Sequence, residues 1–201
     1  MNKGTIIIVE GPRGSGKTPI SNVLEKTNFV KYDCIFVPPD YGKYDGLINW
    51  NSPEQSYGEV MAISNVYSTG CNILMDRSVI SWCVYNCYPG IDECRDRITD
   101  WVNVLSKWAC PIVVCLDADE SLLECNVNKI KDKFPWKKGF SWNPNEAKIY
   151  RDMYDFIPPS MKLYYKVVDY NANWIFDIES QMSKRMLNSN TFHKIRRYIK
   201  I

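Results

Sequence analysis

The chain has 201 residues, of which 45% are hydrophobic and 24% are charged, and its formal net charge is +2. This composition is that of a globular protein, and the length suits a single domain over residues 1–201. It excludes a disordered chain, a collagen and a coiled coil, while the small net charge gives no general argument for nucleic-acid or membrane binding. No apolar run approaches the roughly 20 residues of a membrane span, so we expect a soluble cytoplasmic protein without a membrane partner.

The eight cysteines are not arranged as a disulfide framework or a zinc site. There is no C-x-x-C pair, and the one histidine, His193, lies near the C-terminus. The apolar run at residues 5–9 is too short for a secretion signal. We therefore expect reduced, buried thiols, and the single histidine argues against acyl-transfer chemistry that depends on a histidine triad.

Apolar segments alternate between strand-like and helix-like patterns along the whole chain. Strands are predicted at residues 5–9, 34–37, 72–75, 111–116 and 163–168. Helices are predicted from about residue 18, from Ser52 to about Gly70, over 79–87 and 94–108, from about Asp117, and after residue 168. Such alternation predicts an α/β fold with a five-stranded parallel sheet and helices on both faces. Ligands of these sheets bind beyond the carboxyl ends of the strands, where the motifs should lie.

The first strand runs into a complete phosphate-binding motif, G-x-x-x-x-G-K-[ST]. Its residues are Gly11, Pro12, Arg13, Gly14, Ser15, Gly16, Lys17 and Thr18. The backbone N–H groups of such a loop wrap phosphate oxygens, and the following helix adds the partial positive charge of its N-terminus. Lys17 is expected to reach the β- and γ-phosphates, and the Thr18 hydroxyl to bind Mg²⁺. The motif predicts a nucleoside triphosphate, with ATP as the expected donor.

A second polar cluster, Asp76-Arg77-Ser78, follows the third predicted strand. In a parallel sheet this places it beside the phosphate loop. The Asp76 carboxylate can hold Mg²⁺ directly or through water. Arg77 can neutralise charge on a phosphoryl group in transfer. The pair therefore extends the predicted triphosphate site towards catalysis.

Two stretches resemble the deoxynucleoside kinase and thymidylate kinase group of P-loop kinases. These are IVEG at 8–11, running into the loop, and DRSVIS at 76–81, opening a helix. The strand that ends at Asp117 and the helix that leads into a basic stretch are also similar. The resemblance implies a P-loop kinase fold with a lid segment at about 129–145. It implies ATP- and Mg²⁺-dependent phosphoryl transfer to a deoxynucleoside or its monophosphate.

The resemblance also implies roles for individual residues. Glu10 matches the carboxylate near the acceptor 5′-hydroxyl, Asp76 the acid on the metal side, and Arg77 the arginine at the phosphoryl group. The lid of these families carries arginines, whereas this chain has lysines at 129, 131, 133, 137 and 138. Lys129 and Lys133 are the candidates to contact ATP, although lysines bind phosphate as point charges rather than planar forks. A solvated charged segment is the alternative interpretation.

The chain departs from these families where the acceptor would be recognised. Thymidylate kinases have an acid at the third loop position, where this chain has Arg13. Arg13 could favour an extra phosphate on the acceptor or face solvent. Gln55 is the nearest candidate for a base-reading glutamine, but it also fits the start of a helix. The acceptor base, and whether the chain forms a homodimer, stay open.

Two other functions compete with a small-molecule kinase. Residues 184–201 form a basic tail, and Trp50, Trp136 and Trp142 fall in loop-like regions. These features suit a kinase that phosphorylates a nucleotide within or at the end of DNA or RNA, although a basic final helix and core tryptophans are favoured. The third function is a non-catalytic P-loop switch. The GTPase motif N-K-x-D is absent, since residues 128–131 read NKIK.

Overall fold

The computed structural model describes residues 6–26, 29–33, 72–85, 90–108, 111–135, 142–171 and 173–188. The strands are β1 (Ile6–Glu10), β2 (Phe29–Asp33), β3 (Asn72–Asp76), β4 (Ile112–Ala118) and β5 (Lys162–Val167). They form one parallel sheet in the order β2-β3-β1-β4-β5. The predicted α/β architecture with a parallel sheet is confirmed. The central strand β1 is buried throughout, as its run of β-branched residues predicts.

Helices cover both faces of this sheet. They are α1 (Lys17–Glu25), α2 (Val79–Tyr85), α3 (Gly90–Trp108), α4 (Glu120–Lys133), α5 (Pro144–Tyr154) and α6 (Asn173–Asn188). Alternate residues of β1 enter two separate cores. Ile6 and Ile8 pack with residues of α2, α3 and α5, while Ile7 and Val9 pack with residues of α1, α4 and α6. Because successive side chains of β1 point to opposite faces of the sheet, this one strand packs against both helical layers.

Strand register brings the predicted site residues to one edge. Val9 pairs with Asp76, and Glu10 pairs with Cys115, so β1 and β3 end within one residue of each other, while β4 continues beyond them to Ala118. The phosphate loop leaves β1 at this edge and enters α1. The edge is therefore the place where the loop, Glu10 and the residues after β3 meet.

One predicted helix start is wrong, and one predicted strand is not described. The second strand of the structure is Phe29–Asp33, whereas the strand predicted at 34–37 lies outside the described residues. Phe, Val and Tyr in residues 29–32 already have the high strand propensity that the apolar run after them also suggested. Asp117 does not start a helix: it stays within β4, and α4 begins at Glu120 with Asp119 as its N-cap residue.

Asp117 remains in the strand because its carboxylate is fully engaged there. Arg151 of α5 donates to both carboxylate oxygens, at 3.0 and 3.1 Å. The Tyr164 hydroxyl donates at 2.7 Å, and the backbone N–H of Ala118 donates at 2.8 Å. This ion pair, in which Asp117 is buried and Arg151 is partly exposed, ties β4 and β5 to α5, the helix that carries later site residues.

Several predicted features fall wholly or partly outside the described residues. They are the helix from Ser52 to about Gly70 with Gln55, the residues Trp50 and Trp136, part of the lid, and the tail beyond residue 188. The described part of the lid is mostly helical: 129–133 ends α4, and α5 begins at Pro144. Residues 184–188 belong to α6. That residues 1–201 form one domain stays a prediction.

The cysteines within the described residues are free thiols. Cys83, Cys94 and Cys115 are buried as predicted, whereas Cys125 on α4 is exposed. Of the helices that the structure describes, none is long and apolar enough to cross a membrane.

Candidate active site

The phosphate loop has the conformation that its glycines require. Gly14 and Gly16 have φ angles of 82° and 92°, in the left-handed region that favours glycine. A Cβ atom at Gly14 would lie 2.7 Å from the carbonyl oxygen of Leu123, and one at Gly16 would lie 2.6 Å from the Trp174 ring. Both distances are far below contact. The loop is therefore packed closely against α4 and α6, and these glycines cannot be replaced without moving the backbone.

The carbonyl of Gly14 is fixed by two side chains from distant elements. Asn126 of α4 donates its amide to this oxygen at 2.7 Å, and the Tyr170 hydroxyl donates to it as well. Tyr170 also packs edge-on against Trp174, with ring centroids 5.8 Å apart. These contacts orient the Gly14–Ser15 peptide before any ligand binds. Preorganised donors of this kind cost little reorganisation when phosphate arrives.

Lys17 is folded back over the loop it follows. Its ammonium donates to the carbonyl oxygens of Gly11 and, at 2.9 Å, of Pro12. Burial, the largest influence, and the Arg77 charge lower the pKa of Lys17 to about 7. Glu146, Asp76 and Glu10 oppose this shift, which shows that all three carboxylates lie within electrostatic range of the ammonium. A bound triphosphate would supply the anionic partner that Lys17 lacks.

Arg77 projects from a strained backbone into the same space. Its φ angle is 80°, and its N–H donates to the carbonyl oxygen of Val9 at 3.1 Å. One guanidinium nitrogen, Nη1, contacts the hydroxyls of Tyr85 at 3.0 Å and Tyr150 at 3.3 Å, with Ser81 at 3.4 Å. The Nε and Nη2 groups have no hydrogen-bond partner among the described residues. The side chain is thus anchored by one nitrogen, with its other donors available to an anion.

Glu10 is buried at the end of β1, with 0% of its surface exposed. Its oxygens accept from the Ser78 hydroxyl at 2.6 Å and from the Ser81 hydroxyl at 2.5 Å. Ser81 is in turn 2.6 Å from the Tyr150 hydroxyl, which also contacts Arg77. Burial, the largest influence, raises the pKa of Glu10, and the serine hydrogen bonds only partly oppose this. A carboxylate with a raised pKa is a stronger base.

Arg13, the unusual residue of the loop, is paired with a carboxylate that the motifs did not indicate. Its backbone N–H donates to Oε1 of Glu146 at 2.7 Å, and its Nε lies 3.3 Å from Oε2. The Tyr85 hydroxyl donates to Glu146 at 3.0 Å. The Tyr85 ring lies near both Arg13 and Arg77, with guanidinium carbons 5.4 and 5.3 Å from its centroid. One of the two predictions for Arg13 was that it faces solvent. Its guanidinium instead forms an ion pair with Glu146.

The predicted magnesium ligands fit the ion's chemistry. Thr18 presents an exposed hydroxyl in the first turn of α1, and no described side chain occupies the Asp76 carboxylate at the end of β3. No group of three metal-ligating His, Cys, Asp or Glu side chains occurs among the described residues. Mg²⁺ characteristically uses one or two protein oxygens together with substrate phosphates rather than a complete protein cage. Thr18 and Asp76 thus offer the kinds of oxygen that Mg²⁺ takes from a protein, and their binding of the ion stays a prediction.

The two lid lysines are not brought to the loop. Lys129 and Lys133 are exposed on α4, and Lys133 lies over the Phe134 ring at 5.5 Å. Within the part of the chain that the structure describes, neither contacts the phosphate loop. Their role in ATP binding stays a prediction.

The fold matches solved structures, several of them kinases, at low sequence identity. A gluconokinase from Sinorhizobium meliloti aligns over 94% of this chain and 97% of its own, with TM-score 0.52 and 11% identity. The YorR protein of Bacillus subtilis, in complex with phosphorylated GDP, covers 91% and 98%, with TM-score 0.57 and 15% identity. Thymidylate kinase from Candida albicans covers 94% and 93%, with TM-score 0.54 and 12% identity.

The chain has the P-loop kinase fold. This confirms the fold that the sequence resemblance implies. No protein-family model and no curated protein sequence matches the chain. At identities this low the likeness concerns the fold, so the reaction has to be argued from the site of this P-loop kinase-like chain.

Sequence reasoning missed the side chains that support the motif residues. Tyr85 and Ser81 had a usable signal, because they are four residues apart on one face of the helix that follows Arg77. Glu146, Tyr150, Asn126 and Tyr170 had none, since their partners in the loop and in α2 lie 69 to 156 residues away in sequence.

Proposed function

We propose that the chain is a kinase that transfers the γ-phosphoryl group of ATP to a deoxynucleoside or a deoxynucleoside monophosphate. The carrying observation is the connected network that joins Glu10 to Arg77 through Ser81 and Tyr150, beside Lys17. It puts a buried base, a partly unengaged arginine and the phosphate loop at one edge of the sheet. A switch protein that only binds nucleotide has no need of the buried base.

Each group has a distinct task in this reaction. The loop N–H groups and Lys17 bind the β- and γ-phosphates, and Arg77 stabilises the charge of the phosphoryl group in transfer. Thr18 and Asp76 would hold Mg²⁺, which neutralises triphosphate charge when it is bound. Glu10 accepts the proton of an acceptor hydroxyl as the oxygen–phosphorus bond forms and the bond to the ADP leaving group breaks. For this, the acceptor has to replace one serine hydroxyl on Glu10.

The choice of a nucleoside-type acceptor rests on the IVEG and DRSVIS motifs, together with the P-loop kinase fold. The nucleic-acid alternative gains no specific support. Of the basic tail, Lys184 and Arg185 lie within the described residues, and Arg185 donates to the carbonyl of Pro159 at 3.4 Å. Trp142 packs against the core formed with β4 and α6.

The proposal is tested by γ-phosphate transfer from radiolabelled ATP·Mg²⁺ to nucleosides, monophosphates, single strands and duplexes. Lys17→Ala should reduce transfer by about 10³-fold or more, because it removes the charge nearest the γ-phosphate. Lys26→Ala, an exposed change at the other end of α1, is the matched control and should leave transfer unchanged. Wild-type transfer by Lys17→Ala, or no transfer by the wild type to any of these acceptors, would refute the proposed function.

A further inference from the structure

The Arg13–Glu146 pair determines how much positive charge the site can offer an acceptor. Around the mouth of the phosphate loop, the described residues carry equal numbers of formal positive and negative charges. The cations are Lys17, Arg13 and Arg77, and the carboxylates are Glu10, Asp76 and Glu146. The triphosphate adds several negative charges to this balanced set. Any further anion at the mouth therefore needs a cation that is not already committed.

None of the three cations is left over for a phosphorylated acceptor. Lys17 faces the donor phosphates, and Arg77 is the group with unengaged donors for the phosphoryl in transfer. Arg13 is bound to Glu146 through both its backbone N–H and its guanidinium, and Glu146 is only 5% exposed. A buried carboxylate at this distance neutralises the remaining cation among the described residues of the loop mouth.

We propose that the acceptor is an uncharged nucleoside hydroxyl rather than a nucleoside monophosphate, and that the Arg13–Glu146 pair enforces this choice. The inference rests on the proposed kinase function and narrows it. Glu146 keeps Arg13 from stabilising an acceptor phosphate, and its own negative charge repels one. Selectivity of this kind comes from a repulsive element as much as from an attractive one. The acceptor hydroxyl loses its proton to Glu10 and gains the phosphoryl group, as above.

The test compares matched acceptors with ATP·Mg²⁺: the four common deoxynucleosides and their four 5′-monophosphates. For at least one base, kcat/KM for the nucleoside should exceed that for its own monophosphate by about 100-fold, because juxtaposed like charges are strongly disfavoured. A monophosphate used as well as or better than every nucleoside would overturn this inference and leave the proposed kinase intact. Transfer to neither class would overturn both.

Two variants should move this selectivity ratio in opposite directions. Glu146→Gln keeps the hydrogen-bond geometry but releases the Arg13 charge, so the nucleoside preference should fall by about 10-fold. Arg13→Gln leaves the Glu146 charge unpaired, so the preference should rise. Glu124→Gln, an exposed change on α4, should leave the ratio at its wild-type value. A merely structural role predicts losses for both acceptors without a change in ratio, and that result in both variants would contradict the inference.

Discussion

Two buried carboxylates stand at the same edge of the sheet, and their surroundings differ completely. Asp117 on β4 is held by both arms of the Arg151 guanidinium, a tyrosine hydroxyl and a backbone N–H. Glu10 on β1 is held by two serine hydroxyls, with its cationic neighbours acting from a distance. Asp117 is tied into an ion pair that fastens three elements together. Glu10 has partners that can rotate or exchange.

This difference separates a carboxylate that stabilises the fold from one suited to chemistry. A bidentate arginine satisfies the charge and the geometry of the Asp117 carboxylate together, which suits this side chain to holding structural elements in place. Hydroxyl groups can be donors or acceptors and can therefore accommodate either protonation state of Glu10. Because Glu10 is buried and has no cation bonded to it, its charged form is destabilised relative to its neutral form. The pKa of Glu10 is therefore raised.

The largest effect is expected from Glu10→Gln. It removes the base but keeps the size and hydrogen-bonding capacity of the side chain. Transfer to a hydroxyl acceptor should fall by about 10²–10⁴-fold, the usual range for general-base catalysis. Single-turnover rates with ATP in excess measure this loss directly. A variant with the wild-type single-turnover rate would show that Glu10 is not the base.

The same variant has a stability signature. Because the folded pKa of Glu10 lies above its ordinary value of 4.5, the folded state binds more protons in the window between the two values. The contribution of Glu10 to stability therefore falls as the pH rises through that window. Glu10→Gln should remove this decline and unfold at the same or a higher temperature at neutral pH, as calorimetry over a pH series can show.

Asp117→Asn should have the opposite effect to Glu10→Gln, because it should lower stability and leave transfer unchanged. It leaves Arg151 without its anionic partner and should lower the free energy of unfolding by about 1–3 kcal/mol, the Arg151 side chain being partly exposed. Denaturant titration measures the loss. The variant that remains folded should keep wild-type single-turnover transfer. A catalytic loss without a stability loss would remove the distinction between the two carboxylates.

The cations near the two carboxylates, Lys17 near Glu10 and Arg151 beside Asp117, also differ in their pKa values. This difference gives the smallest expected effect, a change in proton uptake when ATP binds. Burial lowers the pKa of Lys17 to about 7. The pKa of Arg151 is instead raised, because Arg151 is hydrogen-bonded to Asp117. Triphosphate binding should restore the charge of Lys17, so ATP binding at pH 8 should take up about one proton.

Calorimetric titration of ATP in two buffers of different ionisation enthalpy measures that uptake. Lys17→Arg, whose side chain stays charged, is the matched variant and should bind ATP without it. Equal proton uptake by the wild type and Lys17→Arg would place the titrating group elsewhere.

The sequence predicted the fold and the motif residues because both are local signals. A buried β-branched run, a glycine loop and a following helix define the triphosphate site within 20 residues. Asp76 and Arg77 follow from the rule that parallel strands end at a common edge. The strand at 29–33 was missed because the apolar run at 34–37 has a similar strand propensity, and only the pairing with β3 shows that residues 29–33 belong to the sheet.

The supporting residues could not be found in this way. Glu146 is 133 residues from Arg13, and nothing near Arg13 indicates that its charge is neutralised. Asp117 together with Glu120 resembled a helix start, and the partner that keeps Asp117 in the strand, Arg151, is 34 residues away. Long-range pairing depends on how the helices pack on the sheet, which periodicity alone does not specify.

The left-handed backbone of Arg77 implies a conflict between durability and activity. Among the described residues, Arg77 is the one non-glycine residue with a positive φ, a conformation that costs an L-amino acid roughly 1 kcal/mol. Glycine would relieve that cost and remove the guanidinium. A laboratory evolution experiment that rewards thermal tolerance alone would therefore favour glycine at position 77 and yield a more stable protein without the arginine that we propose to bind the phosphoryl group.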